Sequence, residues 1–215
     1  MQPVLVLGAG IGGLATAVAL ARRGIRCTVL ERRAEPSSEG AGLVLWPNAA
    51  RVLDRLDLWR PLAAGAGTLS AMERRRFDGA PLGHVDLEAM ERVMGYPSRP
   101  VLRADLQAHL LEAARAAGVE VRHGRCVVAL EGHDEVVVRL EGGGAVRAPV
   151  VVGADGRMNS VARAFVHGDA TPVYSGYVNV VGLARVAPAA MPRDRVVDLW
   201  GRGLRFGAVP LPQGG

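Results

Sequence analysis

The stretch "GAGIGGLATAVALARRG", residues 8–24, decides the fold, because a glycine-rich turn runs directly into a helix pattern. Before it, the apolar run 3–7 is bounded by glycine and predicts a short buried strand. After it, "RCTVLER" predicts a second strand over 26–30. Strand, turn, helix and strand within about 30 residues predict a βαβ unit with parallel strands. The predicted buried face of the helix comprises Ile11, Leu14, Ala15, Val18 and Ala19.

The glycines of the turn have the spacing Gly8-x-Gly10-x-x-Gly13, which indicates a dinucleotide-binding turn when a strand precedes it and a helix follows. Gly8 permits the tight turn, Gly10 lets the backbone approach a pyrophosphate, and Gly13 lets helix and strand pack closely. Glu31 stands at the end of the second strand, where a carboxylate can accept ribose hydroxyls. A glycine turn with a purely structural role leaves Glu31 unexplained.

Helix patterns recur further along the chain. "PNAARVLDRLDLW" predicts a short helix capped by Asn48, after a loop over 32–47. "RADLQAHLLEAARAAG" predicts a longer helix that ends at Gly118, and 161–166 predicts a brief one. The predicted buried face of the longer helix comprises Leu106, Leu110, Ala113 and Ala117.

Strand patterns fill most of the remainder. Two short pieces within 68–93 flank the Asp78-Gly79 turn. Strand patterns resume from Val173, and the last one runs straight into a glycine turn at 214–215, so we expect the chain to stop inside a sheet. Between these regions, three strands predict an antiparallel meander over about 119–130, 135–140 and 145–152.

The stretch "VVVGADGRMNS", residues 150–160, delivers one acid to the end of an apolar strand. Asp155 there is either a turn residue or part of a ligand site, since Asp-Gly is a common turn pair. Because 150–152 returns to the parallel sheet, and ligands bind off the carboxyl ends of such strands, Asp155 is predicted to share an edge with Gly10 and Glu31.

Two arginine positions are informative. Arg103 lies in the first turn of its helix, where the macrodipole disfavours a cation by about 0.3–1 kcal/mol. A bound anion reverses that cost, although neighbouring Asp105 also offsets it. Arg32, which follows Glu31, is either solvated loop charge or a neighbour of the ligand.

Composition excludes several classes of protein. All 26 basic residues are Arg, and apart from "ERRRF" at 73–77 they are spread along the chain; aromatic residues make up only 4%, which also disfavours a nucleic-acid surface. No apolar run approaches the roughly 20 residues that span a bilayer. Cys27 and Cys126 sit in apolar segments and indicate free thiols in a cytoplasmic protein. The five histidines form no metal motif, so no metal site is predicted.

Several segments in order resemble the FAD-dependent monooxygenases of the para-hydroxybenzoate hydroxylase type. They lie between residue 4 and about 163, and the third and fourth carry the specificity, because NAD dehydrogenases share only the first. The segments are "GAGIGGLATAVALARRG…VLER", "GAGLVLWPNAARVLDRLDLW", "LRADLQAHLLEAA" and "VVGADGRMNSVAR".

The resemblance implies a role for each matched residue. Glu31 would hold the adenosine ribose of FAD with Arg32 alongside, and Arg103 would reach the cofactor from its helix. Val127 would contact adenine through its main chain. Asp155, with Gly156, matches a motif of the FAD pyrophosphate and transient NAD(P)H region, with Ser160 and Arg163 supporting its loop. The FAD pyrophosphate and adenosine would be lined by Gly8, Gly10, Ile11, Gly12 and Gly13.

The resemblance also implies fold and reaction. We expect an α/β protein with a Rossmann-type FAD domain at 1–67 and 101–168, carrying a meander insert, and the start of a mixed-sheet substrate domain at 68–100 and 169–215. FAD reduced by NAD(P)H would trap O2 as a C4a-hydroperoxide and hydroxylate an aromatic or polyketide-like small molecule.

The family's next motif, a Gly-Asp pair at a strand-to-helix turn, is absent from these residues. Two alternatives therefore stay open: a truncated FAD-binding polypeptide without catalysis, and a related FAD-dependent halogenase or reductase. Halogenases carry a Trp-rich signature that the sequence does not show.

Overall fold

A computed structural model describes residues 3–36, 40–169, 171–184 and 191–212. The described residues form strands and helices in this order: β1 (Val4–Leu7), α1 (Ile11–Ala21), β2 (Cys27–Leu30), β3 (Gly42–Leu45), α2 (Pro47–Arg55), α3 (Trp59–Gly65), β4 (Ala71–Arg76), β5 (Pro81–Asp86), α4 (Leu87–Met94), β6 (Arg99–Leu102), α5 (Arg103–Ala116), β7 (Glu120–Arg122), β8 (Val127–Glu131), β9 (Val136–Leu140), β10 (Ala145–Ala148), β11 (Val151–Gly153), α6 (Val161–His167), β12 (Arg195–Trp200) and β13 (Arg205–Ala208).

The chain divides into two compact units, and both are discontinuous in sequence. The first unit comprises residues 1–38 and 107–179, and the second comprises 39–106 and 180–215. The domain boundaries predicted from the sequence divide the chain by function, into residues that bind FAD and residues that bind the substrate. That division stays a prediction.

The first unit is built on a parallel sheet with the strand order β11-β1-β2-β7. The predicted βαβ unit is confirmed, since α1 connects the parallel pair β1 and β2. On one face of the sheet, Cys27 donates its thiol to the Ala17 carbonyl of α1 at 3.6 Å. Val6 and Val29 share that face and are fully buried.

The opposite face of the parallel sheet packs against an antiparallel meander with the order β10-β9-β8. Leu5, Leu7 and Leu30 of the sheet form one apolar cluster with Val138 and Ala148 of the meander. The insert therefore shares a core with the sheet that it interrupts.

The predicted meander strands needed correction at both ends. The predicted strand 119–130 is two strands, because the chain turns at Gly124, which has a φ of 65°. The first of them, β7, pairs with β2 in the parallel sheet instead of joining the meander. The predicted strand 145–152 also divides, with Pro149 in the break, since proline cannot donate to a ladder.

Three other local predictions were wrong. Asn48 does not cap α2: Trp46 is the N-cap and Pro47 occupies the first turn, where its missing N–H costs nothing. Residues 42–45 of the predicted loop are β3, which pairs with β6. Residues 173–184 form no regular strand, and most of their large apolar side chains are exposed.

The second unit contains a mixed sheet with the order β13-β12-β4-β5. β12 runs parallel to β4, whereas β13 and β5 are antiparallel to their neighbours. β4 and β5 are the predicted hairpin, but the chain continues into α4, which Asp86 caps by accepting the Ala89 N–H at 2.8 Å. Leu69, Leu87 and Val196 form one buried apolar cluster of this unit.

The helix α5 differs from its predicted orientation. Leu106 and Leu110 are buried as predicted, whereas Ala117 is exposed. The remaining buried positions of α5 are Gln107, Leu111 and Ala114. Within the described ranges, none of the helices combines the length and hydrophobicity that a bilayer-spanning segment needs.

The turn between β1 and α1 is packed too tightly for any side chain at two positions. Gly8 has a φ of 100°, and a Cβ there would lie 2.4 Å from the Ala154 carbonyl oxygen. A Cβ on Gly13 would lie 1.9 Å from the Gly8 carbonyl oxygen. The first turn of α1 therefore sits directly on the end of β1.

We predict opposite effects on stability for two neighbouring glycines. Gly13→Ala forces the helix off the turn and should cost about 3 kcal/mol of unfolding free energy. Gly12→Ala is the matched control, since a Cβ there meets nothing within 4 Å, and alanine in a helix should add about 0.5–1 kcal/mol. Thermal and urea unfolding measure both, and equal stability of the two variants would contradict the packing described.

The mixed sheet also holds a buried carboxylate. Asp198 is 1% exposed and accepts hydrogen bonds from Arg205 Nε at 2.7 Å and Trp200 Nε1 at 2.8 Å. Burial alone raises the pKa of Asp198, but the hydrogen bonds from Arg205 and Trp200 and the charges of Arg205 and Arg74 outweigh it and hold the pKa below its usual value.

We predict that Asp198 makes the protein sensitive to acid. Because its folded pKa is lowered, its stabilisation is present above the unfolded pKa of about 3.9 and is lost as the pH falls through the folded value. The unfolding free energy of the wild type should therefore fall more steeply below about pH 4 than that of Asp198→Asn. Urea unfolding at several pH values measures the slopes. Asp78→Asn is the control: Asp78 pairs with Arg76 in solvent, so its slope should stay near the wild type.

Candidate functional site

The amino terminus of α1 presents backbone N–H groups at the carboxyl edge of the parallel sheet. Gly10 is the N-cap in an extended conformation and offers no side-chain cap. The first helical bond runs from the Leu14 N–H to the Gly10 carbonyl at 2.9 Å. The N–H groups of Ile11, Gly12 and Gly13 precede that bond, so they can be donated to an anion.

Open space lies beside two glycines of this turn. A Cβ on Gly10 or on Gly12 would meet nothing within 4 Å, in contrast to Gly8 and Gly13, where a Cβ would collide with backbone. Gly8 and Gly13 are thus required by internal packing. Gly10 and Gly12 leave the backbone accessible from outside, which fits a pyrophosphate lying against them.

Glu31 is held at the end of β2 by two backbone amides. Its Oε2 accepts the Ala9 N–H at 2.7 Å, and its Oε1 accepts the Arg33 N–H at 2.9 Å. The carboxylate is therefore fixed against the glycine turn, as its spacing predicts. Each carboxylate oxygen has a second lone pair, so both can still accept ribose hydroxyls.

Gln107 is a member of this site that the sequence analysis missed. The side chain lies in α5, is 8% exposed, and donates from Nε2 to the Ala9 carbonyl at 2.8 Å. A signal was present, because Gln107 lies three and four residues before the buried Leu110 and Leu111 and so shares their helix face. A polar residue on a buried helix face requires a partner, but its identity, 98 residues away, cannot be read from a local pattern.

Asp155 lies at the edge predicted for it. β11 is adjacent to β1, and a Cβ on Gly8 would lie 3.2 Å from the Asp155 Cα. Because β11, β1 and β2 are parallel neighbours, Asp155, Gly8 and Glu31 follow strands that end at the same edge.

The Asp155 side chain is partly buried and accepts hydrogen bonds from the start of α6. Oδ1 accepts the Ser160 hydroxyl at 2.6 Å and Oδ2 accepts the Ala162 N–H at 3.1 Å. Ser160 in turn caps α6 by accepting the Arg163 N–H at 3.0 Å, and the Arg163 guanidinium donates to the Arg157 carbonyl. The carboxylate shapes the turn, whereas the backbone of this segment lines the edge.

The remaining predicted residues occupy three different settings. Arg32 is exposed. Burial and the charge of Glu141 raise the pKa of the Cys126 thiol, and the charge of Arg32 partly offsets that rise. Val127 begins β8, and its side chain packs against the core cluster of the first unit. Arg103 belongs to the second unit and begins α5; its N–H donates to the Ala41 carbonyl at 3.1 Å.

No group of three His, Cys, Asp or Glu side chains suited to a metal ion occurs in the part of the chain that the structure describes. The chemistry of the edge is therefore that of backbone amides, a carboxylate and a helix terminus. Such a set fits a phosphorylated adenosine ligand, since the amides match the phosphates and the carboxylate matches the ribose.

Comparison with known proteins gives a consistent result. Residues 1–202 match a family described as FAD binding domain. The chain is 42% identical over 183 residues to 3-amino-4-hydroxybenzoate 2-monooxygenase PtnB3 of Streptomyces platensis, covering 84% of this chain and 45% of that protein. It is 37% identical to 3-hydroxybenzoate 6-hydroxylase 1 of Aquipseudomonas alcaligenes, covering 98% of this chain and 55% of that protein.

A solved structure agrees with these relatives. Klebsiella pneumoniae HpxO complexed with FAD and uric acid superposes with a TM-score of 0.86 at 32% identity, covering 99% of this chain and 54% of that one. The chain thus spans about half the length of the relatives that it matches.

The geometry of Glu31 predicts a specific loss on substitution. Glu31→Ala removes the predicted ribose acceptor and the partner of the Ala9 N–H, so FAD affinity should fall about 10- to 100-fold, as for a lost hydrogen bond to a charged group. Glu35→Ala, an exposed carboxylate in the loop that follows, is the control and should bind FAD as the wild type does. Flavin fluorescence titration measures both, and an unchanged affinity in Glu31→Ala would remove Glu31 from the site.

Proposed function

This chain belongs to the FAD binding domain family of flavin-dependent monooxygenases, and from that premise we propose that it provides the FAD-binding part of an aromatic hydroxylase. The observation that carries the proposal is the joint arrangement of the α1 amino terminus, the open Gly10 and the amide-held Glu31 at one sheet edge. A glycine turn that binds no nucleotide does not require these three features to occur together.

Each residue of the edge has a part in binding. The N–H groups of Ile11, Gly12 and Gly13 stabilise the negative pyrophosphate, and the helix dipole adds to that attraction. Glu31 orients the adenosine by accepting its ribose hydroxyls, while Gly8 and Gly13 fix the turn by close packing. Roles for Arg32, Arg103, Val127 and Asp155 in holding FAD are part of the same proposal.

When bound, FAD supplies the redox chemistry, with NAD(P)H and O2 as co-substrates. This chain's own residues contribute position and a fixed electrostatic setting. Substrates named for the relatives are hydroxybenzoates, an aminohydroxybenzoate and urate, all with electron-rich rings. We propose an aromatic or polyketide-like small molecule for this protein, with the mixed sheet of the second unit as the start of its substrate domain.

A second candidate function is FAD binding without turnover. It is favoured by the half-length coverage of the relatives, since residues that complete a hydroxylase can lie in the part that this chain does not span. The two candidates share the FAD site and differ only in catalysis.

One experiment separates them. The purified chain is titrated with FAD, and NAD(P)H oxidation is then followed with and without a panel of hydroxybenzoates and other phenols. Binding together with substrate-stimulated oxidation supports the hydroxylase, and binding alone supports the second candidate. Both candidate functions are contradicted if the wild-type chain takes up no FAD. The Glu31→Ala variant is titrated in parallel for comparison.

A further inference from the structure

Ala9, between the first two fingerprint glycines, is held through both of its backbone groups. Glu31 accepts its N–H at 2.7 Å, and Gln107 donates to its carbonyl at 2.8 Å. The residue is 2% exposed, so water does not compete for either group. Two side chains, one from the residue that follows β2 and one from α5, therefore fix the orientation of the Ala9 backbone.

Fixing the Ala9 carbonyl also fixes the next amide. The structure contains no cis peptide among its described residues, and in a planar trans peptide the carbonyl and the following N–H point in opposite directions. The Gly10 N–H must therefore point away from Gln107. Gly10 is the N-cap of α1 and has open space where its Cβ would be, so that amide belongs to the surface proposed for the pyrophosphate.

Gln107 is itself rigidly placed. Leu106 and Leu110 beside it in α5 are 2% and 0% exposed, and Ala114 one turn further is 0% exposed. A buried amide costs free energy unless its hydrogen bonds are made, so the contact to Ala9 is not an incidental surface contact.

We infer that Gln107 is a positioning residue for the pyrophosphate of FAD: by holding the Ala9 carbonyl, it aims the Gly10 N–H at the phosphates. The inference rests on the proposed FAD site and assigns different roles to two of its side chains. Glu31 binds the ribose and Gln107 positions the amide that binds the phosphates, although both side chains bond to Ala9.

These two roles are tested with three ligands: adenosine, which has adenine and ribose but no phosphate; ADP, which adds the pyrophosphate; and FAD. Gln107→Leu keeps most of the volume and removes the donor. We expect this variant to bind ADP and FAD about tenfold more weakly than the wild type and to bind adenosine with an affinity within about twofold of the wild type. Competition against FAD fluorescence, expressed per folded protein, gives the ratio of ADP to adenosine affinity.

A second variant supplies a readout that a stability defect does not produce. Gln107→Glu places an acceptor against the Ala9 carbonyl when ionised, but a protonated carboxyl can donate to it. We therefore expect its ADP-to-adenosine ratio to be low at about pH 8 and to recover toward the wild-type ratio at about pH 5.5. This variant also carries the test if Gln107→Leu does not fold.

Leu111→Ala is the matched control, because Leu111 is buried in the same helix at 6% exposure and makes no described hydrogen bond to the turn. Leu111→Ala should lower the melting temperature and keep the wild-type ratio of ADP to adenosine affinity. A wild-type ratio in both Gln107 variants at every pH overturns this inference and leaves the FAD site standing. A wild-type chain that binds none of the three ligands overturns the proposed function itself.

Discussion

The close approach of three backbone segments at the end of β1 is the constraint on which the first unit depends. A Cβ on Gly13 would reach the Gly8 carbonyl oxygen, and a Cβ on Gly8 would reach the carbonyl of Ala154 in the turn after β11. α1, β1 and β11 can meet at this point only because both glycines lack side chains. The same contact fixes how far the α1 amino terminus lies from the sheet edge. The packing of these glycines therefore also determines the position of the backbone N–H groups proposed to bind the ligand.

The sequence was sufficient where a local pattern has one physical solution. Glycine spacing, a helix period and an acid after an apolar strand placed Gly10, Glu31 and Asp155 at one edge, as the structure shows. It was insufficient where the answer depends on a distant partner. The pairing of β7 with β2, and the bond from Gln107 to Ala9, join residues about 90 to 100 positions apart, and no period or propensity encodes such a pair.

Three carboxylates illustrate two ways of keeping an acid inside a fold. Glu31 and Asp155 accept backbone N–H groups of neighbouring turns, and Asp155 adds the Ser160 hydroxyl, so neither needs a cation. Asp198 instead relies on the Arg205 guanidinium and an indole N–H. The first arrangement places backbone amides, a helix terminus and the Glu31 carboxylate together at the edge proposed for FAD. The Asp155 carboxylate lies in the turn before α6, at the edge predicted for it, and its part in holding FAD stays a prediction.

The discontinuity of both units has a consequence for biosynthesis. β4 finds its parallel partner only in β12, and the contact between Ser70 and Asp194 at the start of this pairing spans 124 residues. A ribosome adding 5–20 residues per second needs about 6 to 25 s to make that stretch. During this interval one long edge of the nascent β4–β5 hairpin has no partner from its final sheet, and the first unit also awaits its β11 strand. The slow step in completing the mixed sheet during synthesis is therefore the wait for β12, and the β4 edge is open to other strands until then.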